Sequence, residues 1–403
     1  MSLRELPPDQ QATGSRRRWG RLYYLPLVTL FVLSAVAATG GYVVKKNIEN
    51  APPVPGTPAA VSGPAASTTA ALPELCHPAV KQPAKQLWLD GKAAQAEAVW
   101  DAHKTDLSKD YVTGKDGYVF WNDIQAMNFS QAVGRRTLSV DEAAQWHTYL
   151  ATLRDQLKAQ KIPFYIVVTP AKWDVYPQDL PTWAQSIRGS GPLDQLLHQY
   201  PDLPIIDLRT PLRQASAANP VYSRVNSHWT DYGAYVGWKT VADCINQTTP
   251  TLGPLTVPAT TGVKTTSENN EFAPYGITSP VPDWTTPVYD PPLKQVTLTK
   301  TDGSSSIVPG SQATDLSLLP ASTQTQGAAT SKSLLLLRDS MGNGLSVPVQ
   351  QEFAQTWQLR HNFDAAVPGG LPDVKKLVSE HHPDAVILQI AERHLNFPPS
   401  TTK

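Results

Sequence analysis

Two short stretches of this chain hold residues able to move an acyl group. Leu334-Leu335-Leu336-Leu337-Arg338-Asp339-Ser340-Met341-Gly342-Asn343 ends a run of four leucines in polar residues, so it reads as a buried strand delivering a serine to a sheet's carboxyl edge. Open α/β sheets do their chemistry at that edge. The second stretch, Asn226-Ser227-His228-Trp229-Thr230, places a histidine among polar residues, one of which can orient it. A serine hydroxyl is a poor nucleophile near neutral pH and must hand its proton to an imidazole as it attacks. Ser340 and His228 fit those two parts, an acyl-transfer pair. The backbone amides of Met341 and Gly342 and the side chain of Asn343 are the local candidates for stabilising the oxyanion.

The elements that must position this pair follow from apolar spacing. Apolar runs predict strands at 162–168, 204–208, 333–338, 356–360 and 385–390. Helical spacing predicts a lead-in helix over 84–103 and helices at 191–199, 233–245 and 373–381. Ser139 followed by Glu142 is a capping box and opens a long amphipathic helix to about residue 160. Gly114-Lys115-Asp116-Gly117 before Tyr118-Val119-Phe120 predicts a hairpin or strand at the start of the main domain. Residues 250–330 are rich in Thr, Ser, Pro and Gly and read as an irregular β insertion, loose near 321–330. Strands alternating with helices give a mainly parallel sheet covered on both faces.

Composition narrows the function. With 403 residues, 41% of them hydrophobic, the chain can pack a sizeable core. Lys plus Arg and Asp plus Glu both number 34, so no basic surface excess points to nucleic acid. Arg16-Arg17-Arg18 and Arg21 precede a mostly apolar stretch, 23–44, which is long enough to span a bilayer. We read residues 1–22 as a cytoplasmic basic tail, 23–44 as an uncleaved signal anchor and 45–75 as a Pro/Ala/Ser/Thr-rich linker. The lead-in segment 76–110 and the main domain 111–397 then lie outside the cytoplasm. Two cysteines in that compartment commonly pair, so Cys76 and Cys244 are a disulfide candidate. Two cysteines lack further ligands at metal-binding spacing.

Four blocks occur in order: Gly114 to Phe120; Val167-Val168-Thr169-Pro170-Ala171-Lys172 with Tyr176-Pro177; Asn226 to Thr230 with Gly233-Ala234; and Leu337 to Ser340. Together they resemble the extracytoplasmic SGNH-hydrolase-like domain of alginate O-acetyltransferases and related polysaccharide acetyltransferases, over roughly 111–395. The resemblance implies a three-layer α/β/α fold and a serine-histidine-aspartate triad that moves acetyl onto exopolysaccharide hydroxyls. It also implies a membrane-embedded acyltransferase partner that supplies the acetyl; no cofactor and no metal are expected. Ser340 falls on the nucleophile, His228 on the base, and Asn226 on the orienting aspartate. Asn226 departs from the family by lacking charge; Asp231 and Asp207 are substitute orienters. Arg338 stands where the family has glycine, which suggests a role in binding an anionic sugar or acyl oxygen. Lys172, Tyr176, Arg393 and His394 lie where substrate contacts are expected. An acetyl esterase with the same pair, and a polysaccharide-binding scaffold without catalysis, are the competing readings.

Overall fold

Leu334, Leu335, Leu336 and Leu337 are all buried, yet they divide between two cores: Leu334 and Leu336 join one apolar cluster, Leu335 and Leu337 the other. Alternate side chains of a strand point to opposite faces, so this run demands a helical layer on each side. The computed structural model describes Cys76, Trp88 and residues 91–363 and 371–399. The tail, anchor and linker expected at 1–22, 23–44 and 45–75 lie outside the described residues, as does the start of the lead-in helix. That helix is observed at Ala93–Ala102. Among the described residues no helix is long and apolar enough to cross a membrane.

Twelve strands are described: β1 (Tyr111–Thr113), β2 (Val119–Trp121), β3 (Phe164–Thr169), β4 (Ile205–Asp207), β5 (Thr260–Thr266), β6 (Trp284–Tyr289), β7 (Val296–Lys300), β8 (Ser305–Val308), β9 (Ala321–Gln324), β10 (Thr330–Arg338), β11 (Phe353–Arg360) and β12 (Ala385–Ala391). Eight form one sheet in the order β4-β3-β12-β10-β11-β9-β7-β8. From β4 to β11 neighbours run parallel. Helices Asp231–Thr248 and Gly342–Glu352 cover one face through Trp238, Val241, Leu345 and Val349. Helices Val140–Ala159, Pro192–Gln199 and Val374–His381 cover the other through Trp146, Leu150, Leu193 and Val378. The Ser139 capping box is formed on both sides.

The insertion corrects the sequence reading. Residues 250–330 hold the expected short β pieces among loops, but these are more ordered than expected: β9, β7 and β8 extend the sheet antiparallel from β11, and the stretch expected to be loose begins with β9. The sheet is therefore mixed. Val296 and Leu298 face inward while Thr297 and Thr299 are partly exposed, an alternation too short to stand out among prolines and glycines. Buried Thr323 and Thr356 close the junction with a hydroxyl hydrogen bond of 2.6 Å.

Cys76 and Cys244 form a disulfide across a sequence separation of 168, with Cα atoms 5.5 Å apart and both side chains buried. The Asp207 amide donates to the Cys76 carbonyl at 3.2 Å, which adds this segment to the rim of β4. A crosslink closing so long a loop removes much unfolded-state entropy. Replacing both cysteines by serine is expected to lower stability by about 2–5 kcal/mol, read as a fall in melting temperature that reductant reproduces in the parent.

Candidate active site

The carboxyl ends of β10 and β12, together with the loop before helix Asp231–Thr248, define the site. β10 ends at Arg338, and Ser340 sits in the turn before helix Gly342–Glu352. His228 lies two residues ahead of Thr230, whose hydroxyl caps helix Asp231–Thr248 by accepting from the Gly233 amide at 3.0 Å. The two loops are fastened directly, because the Trp229 indole donates to the Met341 carbonyl at 2.8 Å. The indole fits there because residue 237 is glycine: a Cβ would lie 2.7 Å from the Trp229 ring.

Remote in sequence, Ser340 and His228 meet: Ser340 Oγ and His228 Nε2 are 2.8 Å apart. On the other side of the ring, Nδ1 is 3.1 Å from Asn226 Oδ1, which also accepts from the His228 backbone amide at 2.8 Å. An asparagine in this role can present the wrong end of its amide and so select the wrong imidazole tautomer, at a cost of about ten-thousandfold in serine proteases. Here the amide has one sensible orientation. Its Nδ2 donates to the Asn269 carbonyl, and the His228 N–H requires an acceptor, so the oxygen faces the ring. Nδ1 then carries the proton, leaving Nε2 free to accept from the serine. Burial of the imidazole, reinforced by the nearby Arg393 guanidinium, pushes its pKa down to about 4. It is therefore the neutral, proton-accepting form near neutral pH.

Behind the serine, the Asp339 carboxylate is fully buried. Oδ1 accepts from the Met341 amide at 2.9 Å and from Gln389 Nε2 at 3.1 Å; Oδ2 accepts from the Ala391 amide at 2.6 Å, His394 Nδ1 at 2.9 Å and His361 Nε2 at 3.2 Å. Burial alone would raise its pKa, but the hydrogen bonds from His361 and His394 outweigh that and hold it well below the carboxylate range. Among the described residues, Asp339, His361 and His394 are the one group with spacing suited to a metal ion. Their hydrogen bonding opposes it: His361 Nδ1 accepts from the Phe363 amide at 3.1 Å, so its proton resides on Nε2, the atom a metal would need.

Several expected site residues have other work. Arg338 is not a substrate contact: it is fully buried, and its guanidinium donates to Gln358, to the Asp339 and Thr314 carbonyls and to Asn343. A Cβ at residue 342 would lie 2.2 Å from the Arg338 side chain, so Gly342 leaves it room. The Met341 and Gly342 amides are taken by the Asp339 side chain and carbonyl, and are not free for an oxyanion. Asn343 is held at both ends, accepting from Arg338 and donating to Asp315 at 2.7 Å. Lys172 is buried and donates to the Ser223 and Arg224 carbonyls, bracing the histidine loop from beneath. Tyr176 is buried, its hydroxyl accepting from the Val221 amide at 3.0 Å. Asp231 accepts from Trp284 and Thr286, and Asp207 pairs with Arg209, so neither orients His228. Arg393 remains at the site: it is 5% exposed, and its Nε has no partner among the described residues.

Sequence reasoning missed three contributors. Gln389 bridges Asp339 and Thr169 from the middle of β12, and a glutamine inside Ala385–Ala391 was a readable signal. Asn269 and Glu271 arrive from the insertion, where nothing in the local sequence marked them. Glu271 accepts from the Ser227 amide at 2.5 Å, from Ser227 Oγ at 3.0 Å and from the Trp121 indole at 2.6 Å.

A serine at the carboxyl edge of a helix-covered mixed sheet, hydrogen-bonded to a histidine from a separate loop, fits an SGNH-like α/β fold. Residues 112–311 match the family described as "SGNH hydrolase-like domain, acetyltransferase AlgX". The match includes Asn226 and His228 and ends before Ser340. In structure the chain is similar to Bacillus cereus PatB1 (17% identity, 72% of this chain and 99% of that one, TM-score 0.52). It is also similar to PatB1 with a sulfonyl adduct (16%, 71% and 94%, TM-score 0.51) and to the O-acetyltransferase domain of Pseudomonas putida AlgJ (16%, 72% and 94%, TM-score 0.42). No curated protein matches the chain in sequence. Asp339→Asn puts an N–H among the donors that converge there, and is expected to cost about 2–4 kcal/mol in chemical denaturation, with the loss persisting in a Ser340→Ala background.

Proposed function

We propose that the protein is an O-acetyltransferase that passes an acetyl group through an acyl-Ser340 intermediate to hydroxyls of an exported or cell-envelope polysaccharide. The observation that carries this reading is the continuous line from Ser340 Oγ through His228 to an Asn226 oxygen of fixed orientation. Ser340 Oγ attacks the acetyl carbonyl, its proton moves to His228 Nε2, and the donor's leaving group departs with that proton. A sugar hydroxyl then attacks the acyl-serine as His228 takes its proton, and Ser340 regains a proton as the ester leaves. We assign oxyanion stabilisation to the Ser340 amide, which has no acceptor among the described residues, and to the Arg393 guanidinium. An intact proton path argues for catalysis over a scaffold role. The arginine-flanked apolar stretch at 23–44 supports a single-pass anchor, and the disulfide supports an extracytoplasmic domain. A membrane-embedded acyltransferase would then deliver acetyl from the cytoplasm.

Incubation of the soluble part with an activated acetyl ester is expected to add one acetyl, located on Ser340 by peptide mass spectrometry. Ser340→Ala and His228→Ala should lose the adduct and at least about a thousandfold in turnover; equal background from all three proteins contradicts the reading. The base works only when neutral, so a pKa of about 4 predicts that turnover holds below the usual histidine range and falls as pH drops through about 4. An acid limb near 6.5, the ordinary imidazole value, would contradict this.

A further inference from the structure

Attack by Ser340 turns His228 into an imidazolium, and Asn226 offers that cation an oxygen but no charge. Burial and Arg393 both oppose protonation. The nearby carboxylates are otherwise committed: Asp339 meets five donors, Asp207 pairs with Arg209, Asp283 pairs with Arg224, and Asp231 serves Trp284 and Thr286. Glu271 differs. Its three partners, the Ser227 amide, the Ser227 hydroxyl and the Trp121 indole, are neutral donors, and among the described residues no cation forms an ion pair with it. Ser227 lies between the orienting residue and the base, and the Glu271 amide donates to the Val225 carbonyl at 3.0 Å, so the carboxylate is locked to the histidine loop. Lys172, which interacts electrostatically with Glu271, hydrogen-bonds to the Ser223 and Arg224 carbonyls instead.

We propose that Glu271 is a positioning and charge-supplying residue that replaces the missing charge of a triad aspartate, acting on His228 through Ser227 while Asn226 fixes the tautomer. The two duties of one aspartate are thus divided between two residues. A charge held in a site largely shielded from water acts beyond hydrogen-bond range without reorganising as the reaction proceeds. Consistent with this, burial tends to raise the Glu271 pKa, and His228 and Ser227 bring it below its ordinary value. The charged and titratable groups around the imidazole are Arg393 and His394 from the turn after β12, Asp339 from the end of β10 and Glu271 from the insertion; Lys172 interacts electrostatically with Glu271 and Asp283.

The inference rests on the serine-histidine reading and is tested in four proteins: wild type, Glu271→Gln, Asn226→Asp and the double variant. Imidazole NMR, with the His228 signal identified by its absence in His228→Ala, gives the titration of the ring, and acetyl-ester turnover gives the rate. Removing the charge in Glu271→Gln should shift the His228 titration to lower pH and slow turnover about tenfold or more. Asn226→Asp should shift it to higher pH, and the double variant should recover both properties toward wild type. Unchanged titration in Glu271→Gln, or a rate loss that Asn226→Asp fails to recover, overturns the proposal and leaves Glu271 a loop brace. If the titrations shift as stated but Ser340 takes no acetyl, the proposed function fails and this inference stands.

Discussion

A fully buried carboxylate governs the carboxyl edge of this sheet. Asp339 is buried at the end of β10, and a bare charge there is tolerable only if donors surround it. They come from the serine turn through Met341, from β12 through Gln389 and Ala391, from the turn after β12 through His394, and from the end of β11 through His361. Satisfying one side chain therefore fixes the relative position of three strand ends. The serine next to it inherits that rigidity, and its oxygen is aimed where the imidazole waits.

The histidine side is built differently. Its loop gains order from beneath through Lys172, from the serine turn through the Trp229 indole, and from the insertion through Asn269 and Glu271. The same insertion lengthens the sheet by β9, β7 and β8 and delivers the two residues that set the asparagine's orientation and hold Ser227. Structural extension and site support are thus encoded in one segment.

Much of this was legible in the chain, for identifiable reasons. The strands at Leu334–Leu337 and Ala385–Ile390 announce themselves because burial on both faces leaves no room for polar residues, and the Ser139 cap marks its helix by local chemistry alone. Ser340 and His228 were visible because the polar residues around them break apolar patterns at element ends. The short strands of the insertion were obscured by prolines and glycines. Arg338, Lys172 and Tyr176 were read as substrate contacts because charge or a hydroxyl at a strand's carboxyl end suggests exposure. Each is instead buried and hydrogen-bonded, a tertiary outcome that no local pattern reports. Glu271 was illegible, since its meaning depends on which loop folds over it.

The Cys76–Cys244 bond has a mechanical consequence. Cys244 lies near the far end of the helix whose first turn follows His228, and Cys76 is the first described residue. Tension on the chain ahead of Cys76 enters through a covalent joint at that helix's distal end, bypassing helix Ala93–Ala102 and hairpin β1–β2. A pull on that segment would therefore load the far end of the helix that begins beside His228.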